Sequence, residues 1–314
     1  MQKSEFRLDV TGAAAALGKP LEIAATAFLP PAEKLSDPPV IVFAVPGGGY
    51  GRGYFDMRFP GHRGYSEAEH HVGRGLIVVA FDHIGVGDST IPDLNAITFE
   101  NLAATYDSAV RQTVEKFARG AIAPGFPGVT DAFKIGIGQS MGGSITILTQ
   151  GLHAPFDAIA PLAFSAIHTV LPVRDEQERP DPVNFPLEML RWAFHWEDEP
   201  EDIVQADIGG GYPRRKTVPP FGSGTMPTCV YKMVLPGAMA KEAAAIRTPV
   251  LIAAGERDVL PTPRLEPSAY SSSSDVSLYI VPNMAHMHNF ASTRAWLWDR
   301  IADWSLMLAR ERGG

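Results

Sequence analysis

Short runs that are apolar at nearly every position recur along the chain, separated by longer stretches in which apolar residues return every three or four positions. "EFRLDV" and "LEIAATAFL" open the series, followed by "PVIVFAV" (39–45), "GLIVVAFD" (75–82), "FKIGIGQ" (133–139), "FDAIAPLAF" (156–164), "PVLIAAGE" (249–256) and "VSLYIVP" (276–282). Runs without polar alternation are what strands covered on both faces require. Helical spacing lies between them, over Ser66–Gly73, Phe99–Ala118, Gly142–Gly151 and Ser292–Leu308. Strand and helix in alternation predict an α/β protein with a mostly parallel central sheet and helices on both faces.

The alternation stops between Ile167 and Ala245, where prolines are frequent and "PLEMLRWAFHW" is the one strong helix pattern. A structureless loop of that length does not suit a compact domain. The expected organisation is a core domain of residues 1–166 and 246–314 carrying a cap inserted over 167–245. The alternative is a long irregular excursion packed on the side of the sheet.

Composition removes several classes of function. The 314 residues are 45% hydrophobic and 20% charged, as in soluble globular proteins. A net charge of −8, with "PRRK" (213–216) as the densest basic cluster, argues against nucleic acid, which needs a basic face. No apolar run reaches the roughly 18 residues of a membrane span, and the opening "MQKSEFRLDV" lacks the apolar core of a secretion signal. Cys229, the only cysteine, rules out an internal disulfide and, in "MPTCVYKM", reads as a buried apolar residue. A cytoplasmic location is expected.

Chemistry concentrates around "KIGIGQSMGGSIT" (134–146). Ser140 falls where a strand gives way to a helix, with Gly138 two residues before it and Gly142 two after. A side chain thrust out of so tight a turn needs a strained backbone and flanks without a Cβ. The helix that begins there turns free N–H groups and the positive end of its dipole towards the site. A nucleophilic serine needs a base and a group to orient the base, both expected later in the chain at the ends of later strands. "VLIAAGERDVLP" offers Asp258, with Glu256 as a competitor. "YIVPNMAHMHNF" offers His286, with His288 as its rival. The His-x-His pair raises metal binding, but no further ligands complete a site at recognisable spacing.

Developing negative charge on a substrate oxygen needs fixed donors. The N–H of Met141, next after the serine, is the first candidate. The second is expected from "AVPGGGYGRGYFD", where Gly48 or Gly49 lets the backbone approach a substrate closely; neither a dinucleotide nor a Walker pattern can be aligned on these glycines.

With these motifs in place the chain resembles the α/β-hydrolase fold enzymes over nearly its whole length apart from the cap. "GQSMGG" resembles the family's nucleophile elbow, "GERDVLP" its acid loop, "MAHMHNF" its histidine loop and "DHIGVGDS" (82–89) the turn after the fourth strand. Pro46 stands where relatives carry the histidine of an H-G motif. Serine at the elbow disfavours the dehalogenases and epoxide hydrolases, which use aspartate there. The resemblance implies a carboxylic-ester or lactone hydrolase working through an acyl-enzyme on Ser140, with His286 as base, Asp258 orienting it, and no metal or organic cofactor. Alternatives are a carbon–carbon bond hydrolase acting on ring-cleavage diketones, and a ligand-binding protein or receptor with little turnover.

The cap supplies Trp192, Phe194, Trp196, Phe221, Met226, Tyr231 and Met233. With Tyr50, the residues Trp192, Phe221 and Met233 are candidate substrate contacts for a small ester or lactone with an apolar or aromatic moiety. Packing beneath the cap accounts for the same residues. Arg52, Arg58, Arg214 and Arg215 are candidates for meeting a substrate carboxylate. The apolar final helix pattern "AWLWDRIADWSLML" is expected to cover the sheet or a partner.

Overall fold

Every inner position of strand β3 (Val40–Val45) is buried, and its side chains divide between two apolar layers. Ile41, Phe43 and Val45 point into one layer with Leu102, Tyr106, Ile145 and Leu148. Val40, Val42 and Ala44 point into the other with Val72, Leu297 and Ile301. Successive strand side chains alternate faces, so an uninterrupted apolar run buries both sides at once.

The computed structural model describes residues 1–18, 20–174, 186–212 and 215–313. The remaining strands are β1 (Gln2–Asp9), β2 (Glu22–Leu29), β4 (Ile77–Phe81), β5 (Phe133–Gln139), β6 (Ala158–Leu162), β7 (Val250–Gly255) and β8 (Val276–Val281). They form a sheet in the order β1-β2-β4-β3-β5-β6-β7-β8, in which β2 runs antiparallel to both β1 and β4 and the rest is parallel. Helices α2 (Phe99–Ala118) and α3 (Met141–His153) cover one face, and α1 (Glu67–Gly73) and α8 (Arg294–Gly313) the other. Their starts are specified locally: Ser66 accepts from the Glu69 N–H at 3.0 Å, and Thr98 forms a reciprocal capping box with Asn101. Because β4 and β5 flank β3 on opposite sides, the chain reverses its direction of winding at β3. The crevice at the carboxyl ends of β3 and β5 is where such sheets bind ligands.

Between β6 and β7 the described residues contain α4 (Leu187–Phe194), α5 (Glu201–Ile208), α6 (Val230–Met233) and α7 (Ala240–Ala245). Only α4 is legible as a helix in the sequence. Pro200 ahead of two acids, with apolar Ile203, Val204 and Ile208, is the signal that marks α5; α6 and α7 are too short to establish a period. The segment closes onto the core by an isolated bridge between Tyr50 and Gly222, and α7 lies against α3, where a Cβ on Gly151 would strike Glu242. Residues 175–185, and Arg214 among the candidate arginines, lie outside the described residues.

Candidate active site

Ser140 joins β5 to α3 with φ 55° and ψ −119°, a conformation that costs a non-glycine residue of order 1–3 kcal/mol. The turn is held shut from both sides. A Cβ on Gly138 would land on the Gly142 carbonyl, and one on Gly142 would land on the Val45 carbonyl at the end of β3. With the Ser140 N–H donating to Leu162 O at 2.8 Å, the hydroxyl is left projecting from the carboxyl end of the sheet.

Ser140 Oγ lies 3.0 Å from His286 Nε2, and His286 Nδ1 lies 2.7 Å from Asp258 Oδ1. The histidine loop is pinned from several directions. Gln139 Nε2 donates to His286 O at 2.9 Å, the N–H groups of His286 and Met287 donate to Ala193 and Phe194 at the end of α4, and the Phe194 ring lies 5.0 Å from the imidazole. Asp258 is the acid in the β7 loop that meets the histidines. Glu256 instead accepts from the Asn283 N–H at 3.0 Å.

Both histidines of the His-x-His pair touch Asp258. His288 Nε2 stands 2.8 Å from Oδ2, and the backbone N–H groups of Gly255 and Val259 fill the remaining acceptor sites at 2.8 and 2.7 Å. Burial alone would favour the neutral acid, but donation from His286 and then His288 holds Asp258 well below the usual carboxylate range. The other nitrogen of His288, Nδ1, is buried without a hydrogen-bond partner among the described residues. A carboxylate oxygen accepts, so His288 serves Asp258 as a donor through Nε2 while His286 faces the serine.

The glycine loop passes directly over the elbow. A Cβ on Gly47 would lie 3.2 Å from that of Ser140, and one on Gly48 would meet Met226 Sδ at 2.7 Å and Met141 Sδ at 3.8 Å. The carbonyls of this loop are occupied: Gly47 O accepts from the Tyr50 N–H at 3.2 Å, Gly48 O from the Tyr212 hydroxyl at 3.0 Å, and Gly49 O from the Ser223 N–H at 2.9 Å. The N–H groups of Gly48 and Gly49 have no acceptor among the described residues. Met141 opens α3, so its N–H has no intrahelical acceptor either.

The candidate substrate contacts Tyr50, Phe221, Met233 and Trp192 are each packed against protein groups. Tyr50 has no exposed surface, and its hydroxyl is taken by Asp207 at 2.8 Å. Phe221 packs among Tyr50, Phe59 and Phe290 in the core. Met233 is buried behind α3, where the Ser144 hydroxyl points at its sulfur from 2.9 Å. Trp192 lies between the guanidinium groups of Arg174 and Arg257, 5.7 and 4.2 Å from its ring. Tyr50, Phe221 and Met233 are thus packed against other groups of the protein. The arginines are likewise engaged: Arg52 with Asp82 and Asp88, Arg58 with Asp56 and Glu69, and Arg215 with Asp207. Around Gly48 stand instead Met226 and Tyr212, and Met226 also lines a cavity of about 330 Å³ with Leu94, Thr225 and Tyr231. Tyr212 carries no signal in the sequence, since only the fold brings its hydroxyl to a carbonyl 164 positions away.

No protein-family model matches the chain, and no curated protein matches it. Solved structures do. A bromoperoxidase from Bacillus anthracis aligns with a TM-score of 0.62 at 14% identity, over 97% of this chain and 100% of that one. A peroxisomal α/β-hydrolase from Saccharomyces cerevisiae aligns with a TM-score of 0.60 at 12% identity, over 99% and 89%. A monoacylglycerol lipase from Paleococcus ferrophilus aligns with a TM-score of 0.59 at 16% identity, over 92% and 99%. Strand order, the antiparallel β2 and these similarities agree: the chain has the α/β-hydrolase fold.

Proposed function

We propose that the protein is a serine hydrolase acting on a carboxylic ester or lactone. The observation that carries the reading is the unbroken chain of contacts from Ser140 Oγ through His286 to Asp258, at 3.0 and 2.7 Å, on a turn strained at the serine. In this reading His286 Nε2 takes the hydroxyl proton as Oγ bonds to the substrate carbonyl carbon. Asp258 stabilises the imidazolium, and the N–H groups of Met141 and Gly48 receive the oxyanion. When the carbon–oxygen bond to the leaving group breaks, the proton passes from His286 to the departing alkoxide. Water then attacks the acyl-enzyme, giving its proton to His286, and the bond to Oγ breaks as the serine is reprotonated.

The fold alone does not select this chemistry, because structures of similar shape include a bromoperoxidase, a haloalkane dehalogenase and a lipase. The serine at the elbow and its paired imidazole support ester hydrolysis. The thioethers of Met226 and Met141 beside Gly48 support an apolar group on the substrate, and engagement of Arg52, Arg58 and Arg215 removes the support for a free substrate carboxylate at those residues. The test is a panel of aryl esters and lactones of increasing chain length against the wild type and Ser140→Ala. Turnover that vanishes in the variant is expected. Turnover that survives would move the nucleophile elsewhere, and a wild type that resists a fluorophosphonate probe would overturn the reading.

A further inference from the structure

A buried cluster of charges lies beyond the serine site and has no part in the chemistry above. Asp207 on α5 is its centre. Oδ1 accepts from Arg215 Nη2 at 2.9 Å and from the Tyr50 hydroxyl at 2.8 Å, and Oδ2 lies 2.9 Å from His195 Nε2. The second ring nitrogen of His195 lies 2.6 Å from Glu199 Oε2, so the imidazole is held between two carboxylates. The side chains of Glu199, Asp207 and Arg215 have no exposure, and that of His195 has 1%. With two acids facing an arginine and a doubly paired histidine, the charges balance. Such a cluster contributes little net stability compared with apolar packing of the same volume, because desolvation offsets the attraction. What it does supply is fixed direction.

That direction is aimed at the glycine loop. Arg215 Nε donates to Gly49 O at 3.3 Å, and its guanidinium lies over the rings of Tyr50 and Tyr212 at 4.9 and 5.4 Å. Tyr212 donates to Gly48 O, and the Tyr50 N–H donates to Gly47 O. A peptide unit is planar and trans, so holding a carbonyl turns the following N–H the opposite way. Fixing Gly47 O therefore aims the Gly48 N–H, and fixing Gly48 O aims that of Gly49. We infer that the segment between β6 and β7 anchors the oxyanion loop through this cluster, with Asp207, Arg215, Tyr50 and Tyr212 as positioning residues for the backbone donors at Gly48 and Gly49. The inference rests on the hydrolase reading above.

Tyr50→Phe and Tyr212→Phe each delete one hydroxyl and keep the ring, so they test it with least risk to folding. With an aryl ester as substrate, the expected result in both is a fall in kcat of about 10-fold, smaller than the loss on removing an oxyanion donor outright. KM should stay close to wild type in both, the thermal midpoint should fall in Tyr50→Phe, which takes a donor from the buried Asp207, and stay closer to wild type in Tyr212→Phe, and fluorophosphonate labelling of Ser140 should slow in step with kcat. Arg215→Lys keeps the charge beside Asp207 but not the fork that spans Asp207 and Gly49, so it is expected to lose kcat as well. A reactive wild type with kcat unchanged in both tyrosine variants, or with changes confined to KM, overturns the inference and leaves the hydrolase reading standing. A wild type inert to both ester and probe overturns both.

Discussion

His288 Nε2 lies 2.8 Å from Asp258 Oδ2, while His286 Nδ1 lies 2.7 Å from Oδ1 of the same carboxylate. The two histidines therefore share an acid, but only His286 reaches Ser140. Removing His288 takes one donor from Asp258 and leaves the Gly255 N–H on that oxygen. A hydrogen bond to a charged group contributes about 1.5–3 kcal/mol, so His288→Ala is expected to lower kcat/KM by roughly 10- to 100-fold. His286→Ala is expected to lower it by roughly 10⁴-fold or more. Ester hydrolysis by the two variants checks this, and equal losses would place both histidines in one role.

The strain at Ser140 gives a prediction about stability rather than rate. At φ 55° any side chain bears the steric penalty that glycine escapes. Ser140→Gly and Ser140→Ala should both lose hydrolysis, but the glycine variant should be the more stable by about 1 kcal/mol. Denaturant unfolding of the pair measures the difference; an alanine variant equal to or more stable than the glycine one would mean the turn relaxes.

Gly142 tests the closure of the elbow. A methyl group there meets the backbone oxygens of Val45 and Pro46, neither of which can swing aside as a side chain would. Gly142→Ala is expected to destabilise the fold by about 3 kcal/mol and to slow labelling of Ser140. Gly73→Ala, with nothing within 4 Å of the new atom, is the control and should be neutral or slightly stabilising. Thermal midpoints of the two variants decide the matter.

His195 makes stability depend on pH. Burial would lower its pKa, but hydrogen bonds to Asp207 and Glu199 prevail and raise it from the ordinary 6.5 to about 9. A raised pKa contributes stability that is fully present below the unfolded value and is lost as pH climbs through the folded one. The wild type should therefore lose about 3 kcal/mol between pH 6.5 and 9 from this group. His195→Gln should be less stable at pH 6 and show a flatter profile over the same interval. Urea unfolding across that range measures the slope, and parallel profiles for the two proteins would show that the cluster does not titrate there.

The parts of this protein that depend on local pattern were legible in its sequence. Unbroken apolar runs mark strands buried on both faces, and β5 and α2 fall on the residues their patterns indicate, since periodicity and capping act over a few neighbours. The glycines around Ser140 announce a tight turn for the same reason. Tertiary structure alone decided which of two histidines, two residues apart, faces the serine, because that depends on how a loop after β8 is pinned by Gln139 and the end of α4. It also decided that Tyr50 and Arg215, which look like groups for a ligand, are turned inward onto Asp207. Contacts between residues more than a hundred positions apart leave no periodic trace, and a side chain's surroundings emerge only when the sheet and the segment between β6 and β7 close around it.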